Sequence, residues 1–451
     1  MTSVGERPGG GDDIRALCRR YPGRLAAAVA DTLVVTADPR ARSASPTYWD
    51  QARRWRDEVT TEALALAAEP ARTLAGQLVE APDSTRTYFR LRDALTRLAA
   101  RPDDGTESLF RAAWRAEGMS RIGYHVGRRY RNTGDEMAVA ALMPASQGGP
   151  PVATAQPDAP DGTTSPDGTT PPVHPAAERS PNPPTVLVVV PFRDGRADAV
   201  RLRNALACLR ALADQALPRH RYHVTVVESD SRPRWREAVR PLADTYLFAP
   251  KDGPFNKAWT VNVGVRNSPV RTDLVCVLDA DILVDRHFLL RNGARFLHAG
   301  VGALLPYRNA LYLDPAASRH AIARRCLAAA PSAGRESLRG FALRSPSGGC
   351  VWLRTELFHR VGGLDERFEG WGGEDDDFAI RLGLWAALER YSDTLLHLYH
   401  PPARAEIRDG VPTNGPSRVQ YWPTREIGVI DRYAPGADAA RPDVPSTEEH
   451  G

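Results

Sequence analysis

Twelve of the 41 residues from Pro144 to Pro184 are proline, and Pro-Asp-Gly-Thr-Thr occurs twice among them, at Pro160–Thr164 and Pro166–Thr170. Proline lacks the N–H that helices and sheets need, and the stretch holds too little apolar surface to offset the entropy of ordering it. It reads as a disordered linker over 142–184. Fully extended at ~3.1 Å per residue, it spans at most about 130 Å. It therefore predicts two separate domains, at 12–141 and 185–433, with short disordered ends at 1–11 and 434–451. With 451 residues and 42% hydrophobic content, each flank has enough apolar side chain to form a core.

The balance of 59 basic against 55 acidic residues, a net charge of +4, gives no electrostatic case for nucleic acid as a partner. The five cysteines are scattered with no CxxC pair, which predicts free thiols in a reducing compartment. No apolar h-region opens the chain and no run of 18 apolar residues occurs, so neither a signal peptide nor a transmembrane segment is expected. The expected location is cytoplasmic.

The flank before the linker predicts an all-helical domain. Its apolar residues recur every three or four positions, as in Phe89, Leu91, Leu95 and Leu98, with Ser84 or Asp83 as a helix cap. The basic and aromatic stretch Arg121–Arg131 reads as a solvated helix face, with binding of a phosphate-bearing partner as the alternative. No catalytic constellation stands out in this flank.

After the linker the pattern changes. Thr185–Val190 is an all-apolar run ending at Pro191, and Val200, Leu202, Leu206, Leu209 and Leu212 supply the apolar side of a following helix. Further strands are expected at His223–Val227, Thr245–Phe248 and Leu274–Leu278, with a helix from about Asn256 to Arg266 before the last. Strands alternating with helices predict an α/β domain with a mainly parallel sheet, whose ligands sit beyond the carboxyl ends of the strands.

The chemistry-bearing residues fall at those ends. Asp279-Ala280-Asp281 follows five apolar strand residues, and paired carboxylates there can hold Mg²⁺ or Mn²⁺ against a nucleotide diphosphate. Gly370-Trp371-Gly372-Gly373-Glu374-Asp375-Asp376-Asp377 precedes Phe378, Leu382, Trp385 and Leu388, which share a helical face and place the acids in a first turn. One or two acids would complement the helix dipole; four in succession repel one another. The glycines admit a ligand close to the backbone, Trp371 offers a flat face to a sugar ring, and a carboxylate here can act as general base. His397 and His400 can complete a metal site begun by Asp281. A spacing of three on a regular strand puts them on opposite faces, so both reach one ion only if the chain turns there.

Pro191-Phe192-Arg193, Phe255-Asn256-Lys257-Ala258 with Asn262-Val263-Gly264, Asp279-Ala280-Asp281, Gly348-Gly349 and Gly370–Asp377 occur in the order and rough spacing of β-1,4-galactosyltransferases. The stretch from Thr185 to Pro402 also resembles inverting glycosyltransferases of the family 2 type. The resemblance implies a GT-A fold, a nucleotide-sugar donor that is most often UDP-linked, and Mn²⁺. It places Pro191, Phe192 and Arg193 along the nucleotide pocket, Phe255 and Lys257 beside uridine and diphosphate, and Asp279 at the ribose or metal shell. It makes Asp281 and His400 metal ligands, Trp371 and Glu374 sugar contacts, and Asp375 the base. By the same resemblance Glu228 and Asp230 read uracil or ribose. Vertebrate galactosyltransferases have a methionine ligand where His397 stands, and imidazole is harder than a thioether, which alters the expected metal preference. Those enzymes also start with a membrane anchor, where this chain has a helical domain. The reading is a metal-dependent inverting glycosyltransferase moving a galactose or N-acetylhexosamine type of sugar from a UDP-sugar to a hydroxyl on a glycan, peptide, lipid-linked or small-molecule acceptor. The alternatives are a nucleotidyltransferase on a similar fold and a scaffold carrying a relic domain.

Overall fold

The computed structural model describes residues 13–131, 183–401 except 197, 299 and 371, and 426–434, together with Met143 and strand pairs at 407–408 and 411–412. The ends at 1–11 and 435–451, all but three residues of 142–184, and Trp371 lie outside the described residues.

Eight helices fill the region from Ile14 to Met119. Their ends follow from local side chains. Ser84 caps Thr85–Ala99, as expected, accepting from the Thr87 N–H. Asp103 and Thr106 form a reciprocal capping box at Asp104–Met119, with bonds of 2.9 and 2.8 Å. The helix Pro22–Ala37 runs through the middle, with Leu25, Val29, Leu33 and Val34 fully buried. No described helix is long and apolar enough to cross a membrane.

The next element departs from the expected helix face. Ile122–Val126 is a strand, β1, paired antiparallel with β7 (Arg339–Arg344). The reason is a period of two: Ile122, Tyr124 and Val126 are buried while Gly123 and His125 are less so. Arg121 and Tyr130, expected on a solvated surface, are engaged as well. Arg121 donates to the Arg344 carbonyl at 3.1 Å, and the Tyr130 hydroxyl donates to Asp314 at 3.3 Å. One continuous core of buried residues runs from the helices through β1 into the sheet.

The remaining strands are β2 (Val186–Phe192), β3 (Tyr222–Glu228), β4 (Thr245–Phe248), β5 (Leu274–Leu278), β6 (Ala303–Leu313), β8 (Cys350–Arg354) and β9 (Leu388–His397). They form a nine-stranded mixed sheet of order β1-β7-β6-β8-β5-β2-β3-β4, with β9 also paired to β6. The expected parallel arrangement covers β4-β3-β2-β5. Beyond β5 the main path is antiparallel, and β9 runs parallel to β6. β2 and β5 are buried at every position, as strands covered on both faces must be. The helix Lys257–Arg266 lies close on β2 because Gly264 has no side chain; a Cβ there would sit 2.5 Å from Val189 Cγ1. On the antiparallel side, β6 and β7 come from 302–347, and β1, β8 and β9 from outside it.

Candidate active site

The site forms where β5 ends. The Asp279 N–H donates to the Gly349 carbonyl at 3.0 Å, and the chain then runs antiparallel to the end of β9. The Leu398 N–H donates to the Asp281 carbonyl at 2.8 Å and Leu283 N–H to the Leu396 carbonyl at 3.0 Å, with Ile282 opposite His397. β9 stops at His397, so the turn required to bring both histidines together is present. His400 Nε2 lies 3.0 Å from one Asp281 oxygen and His397 Nε2 3.6 Å from the other. The three side chains offer ligand atoms that all lie within 4.8 Å of one another.

This trio fits a divalent cation on its own chemistry. His400 Nδ1 is 2.8 Å from the Pro401 carbonyl, which can only accept, so a neutral ring carries its proton there and turns the Nε2 lone pair toward Asp281. Burial pushes His397 down to about 4, which keeps that ring neutral. Asp281 Oδ1 is buried without a hydrogen-bond partner. Burial opposes the Asp281 carboxylate, but in acid, once the two imidazoles carry protons, they outweigh burial and hold its pKa below the usual range. Tyr312 stacks on His397 at 4.1 Å between ring centres. Sequence reasoning missed it; the β6–β9 register, which sets Tyr312 beside His397, is the cause.

The other half of the site centres on Lys257, the first residue of its helix. Asn256 caps that helix by accepting from the Trp259 N–H at 2.8 Å, and its amide donates to the Glu366 carbonyl at 2.7 Å. Lys257 Nζ lies 2.9 Å from both Asp279 and Asp375 and 3.9 Å from Glu374. Burial works against the ammonium, yet Asp279, Asp375 and Glu374 raise its pKa well above normal. Burial, with help from the Asp375 charge, pushes Glu374 up to about 7. Asp279 rises to about 6, mainly by burial and against the pull of Lys257.

The acidic run does lie in the first turn of a helix, Glu374–Trp385, but its members have separate roles. Glu374 and Asp375 face Lys257, Asp376 is exposed, and Asp377 is buried against Arg381 at 2.8 Å. Phe378 and Leu382 are buried as expected; Trp385, expected on the same face, is 58% exposed because the helix ends there, and Leu388 already belongs to β9. Gly348 packs directly on Asp375: a Cβ there would lie 2.3 Å from Asp375 Oδ2.

The residues expected around a nucleotide divide. Arg193 donates to the Gly253 carbonyl at 2.7 Å and reaches Asp230 at 3.5 Å. Asp230 also accepts from Arg234 at 2.8 Å. Glu228 is fully buried and accepts from the Arg234 N–H at 2.9 Å, the Trp235 N–H and the Tyr246 hydroxyl, so its carboxylate holds the turn after β3. Pro191 is buried in β2 and Phe192 is only 2% exposed in the core, so both back the site instead of forming an open wall. Phe255 is half-buried, and its carbonyl accepts from the Gly370 N–H at 2.8 Å.

Residues 339–401 match the family model described as the N-terminal domain of galactosyltransferase. No curated protein matches the chain. Among solved structures, a mannosyltransferase from Pyrobaculum calidifontis in complex with GDP-Man and Mn²⁺ is 20% identical with a TM-score of 0.33, over 49% of this chain and 59% of its own. A Drosophila β1,4-galactosyltransferase 7 in complex with manganese, UDP-Gal and xylobiose is 19% identical with a TM-score of 0.29, over 48% of this chain and 71% of its own. The TarS protein of S. aureus is 16% identical with a TM-score of 0.35, over 48% of this chain and 37% of its own. The stretch that carries Glu374, Asp375, His397 and His400 is thus similar to a galactosyltransferase domain.

Proposed function

We propose that the chain is a metal-dependent inverting glycosyltransferase with a GT-A domain over 185–433, moving a sugar of the galactose or N-acetylhexosamine type from a UDP-sugar to an acceptor hydroxyl. One observation carries this reading: a lysine-bridged carboxylate pair, Asp279 and Asp375, stands next to the Asp281–His397–His400 trio at the carboxyl end of the parallel strands. Mn²⁺ or Mg²⁺ held by Asp281, His397 and His400 would supply positive charge for the diphosphate oxygens of the donor. Arg193, Asp230 and Phe255 would flank the nucleotide, backed by Pro191, Phe192 and Glu228. Trp371 would meet the sugars.

Asp375 would accept the proton of the acceptor hydroxyl as its oxygen forms the bond to the anomeric carbon and the bond to the leaving phosphate breaks on the opposite face. Lys257 and Gly348 hold Asp375 in place for this. Glu374, with a pKa raised to about 7, can hold a proton near neutral pH and donate a hydrogen bond to a sugar oxygen. Water exclusion follows from burial of Lys257 and Glu374, whose side chains are each 11% exposed.

The test is thermal stability of the purified protein with UDP, GDP or ADP, each with Mn²⁺, Mg²⁺ or EDTA. A nucleotide at 100 times its Kd adds about 2.7 kcal/mol. The expected result is a UDP shift that needs metal and vanishes in Asp281→Ala. Asp375→Asn should keep the shift and lose sugar transfer. Absence of a shift with every nucleotide would falsify the proposal.

A further inference from the structure

Resting on the reading of the site as one of sugar transfer, we propose that the acceptor carries a negative charge and that Arg121 and Arg390 recognise it. Arg121 comes from the region before the Pro-rich segment, Arg390 from β9, and both grip one loop. Arg121 donates through Nε to the Arg344 carbonyl at 3.1 Å and through Nη2 to the Ser345 carbonyl. Arg390 donates to the Pro346 carbonyl at 2.8 Å. Two residues further on, Gly348 lies against Asp375. The pair thus holds the loop that leads to Asp375.

Around the arginines the chemistry is incomplete. Arg121 stacks on the Tyr48 ring, 4.0 Å from its centre. The charges of Arg121, Asp376 and Arg390 all bear on the Tyr48 hydroxyl, and those of Arg121 and Asp376 on Arg390. Among the described residues neither guanidinium forms an ion pair; their partners are main-chain carbonyls and an aromatic ring. Elsewhere several half-buried and buried arginines face carboxylates, as at Arg339–Asp314, Arg381–Asp377 and Arg291–Asp285, while Arg354 and Arg56 are held, like this pair, by carbonyls and rings. Burial depresses the pKa of Arg390, so holding two unpaired cations together is unfavourable until an anion arrives.

Each guanidinium has five N–H groups in a planar fork, and at most two are taken by carbonyls here. The remaining donors suit the oxygens of a carboxylate or phosphate. An acceptor bearing such a group would otherwise be repelled by Asp375 and Asp376. The two arginines offset that repulsion and select against a neutral sugar. A uronic acid and a sugar phosphate present the same chemistry, and the test separates them.

The protein is saturated with UDP and Mn²⁺ and titrated, at constant ionic strength, with glucuronate, glucose 6-phosphate or glucose, reading thermal stability. One or both acids should shift the midpoint where glucose does not, and the stronger of the two identifies carboxylate or phosphate. Arg390→Gln and Arg121→Gln should each weaken the acid response about tenfold or more, the scale of a lost charged hydrogen bond. Arg390→Lys should recover part of it. The UDP–Mn²⁺ shift in each variant reports that the loop remains folded, and Arg390→Gln serves if Arg121→Gln does not fold. No response to either acid, an equal response to glucose, or acid responses that survive both substitutions would overturn the proposal. Failure of the UDP–Mn²⁺ shift in the unaltered protein overturns instead the transfer reading on which it stands.

Discussion

The sheet region crowds several charges together at the end of β5, whereas Arg56 and Asp31 in the N-terminal helices each face an uncharged partner. Lys257 faces Asp279, Asp375 and Glu374, and Asp281 faces two imidazoles. In the helical region Arg56 is 1% exposed and lies on the Trp49 ring at 3.8 Å, with one bond to the Trp49 carbonyl at 2.8 Å. Asp31 there accepts from the Tyr88 hydroxyl at 2.5 Å. Arg56 and Asp31 thus each meet uncharged groups, while Asp38 in the same region pairs with Arg40. The cluster at the end of β5 is different, because like charges crowd together and Asp281 Oδ1 has no hydrogen-bond partner. Crowded, incompletely paired charge is what a site for a charged ligand looks like before the ligand binds.

The sharpest way to break this contrast is Lys257→Met. It leaves three carboxyl groups around a buried position without their cation, and a loss of about 3–5 kcal/mol in denaturant unfolding is expected. A loss below about 1 kcal/mol would show that these acids are already neutral. Next comes Asp31→Asn. Burial raises Asp31 from 3.8 to about 7, against the opposing effects of Tyr88, Arg92 and Arg344 and with a contribution from Glu117. The unfolded chain releases this proton near pH 4 and the folded chain only near 7, so rising pH favours unfolding across that window. At about 1.4 kcal/mol per unit the unaltered protein should lose a few kcal/mol relative to Asp31→Asn between pH 4 and 7. A constant difference between the two over that range would put the ordinary pKa back on Asp31.

Gly348→Ala sharpens the comparison at the base. Its Cβ would stand 2.3 Å from Asp375 Oδ2, so overpacking of about 1–3 kcal/mol is expected, together with loss of transfer, readable as a lower midpoint and lower turnover. The smallest effect is assigned to Arg56→Met. Arg56 Nε and Nη1 have no hydrogen-bond partner, so an apolar side chain of similar length should leave stability unchanged or raise it by about 1 kcal/mol. A loss matching that of Lys257→Met would erase the distinction between the two regions.

The parallel half was legible because β2 and β5, buried on both faces, must be written as continuous apolar runs. Asp279 and Asp281 were legible because such a run leads straight into them. The condition for His397 and His400 was also readable, since a spacing of three demands a turn, but whether the turn exists depends on the pairing of 281–283 with 396–398. β1 was not legible as a strand. The arginines flanking it suggest solvent, and only the partner strand shows that Arg121 is turned to carbonyls and Tyr124 to the core. Tyr312 and the contact of Gly348 with Asp375 arise from register and approach between distant segments, which no local pattern encodes. The separate roles of Asp376 and Asp377 likewise depend on Arg381 lying one helical turn away inside the fold.

The place of β1 has a consequence for dissecting the molecule. β7 has β6 on one side and β1 on the other, and Phe341 and Leu343 are only 5% and 3% exposed in that arrangement. A shortened chain starting at 183 would open the β7 edge, offering unpaired N–H and C=O groups beside apolar side chains, a template for aggregation. The helical region therefore guards a sheet margin as well as contributing Arg121, and the sheet region is not a module that can be cut free and kept soluble without a replacement for that strand.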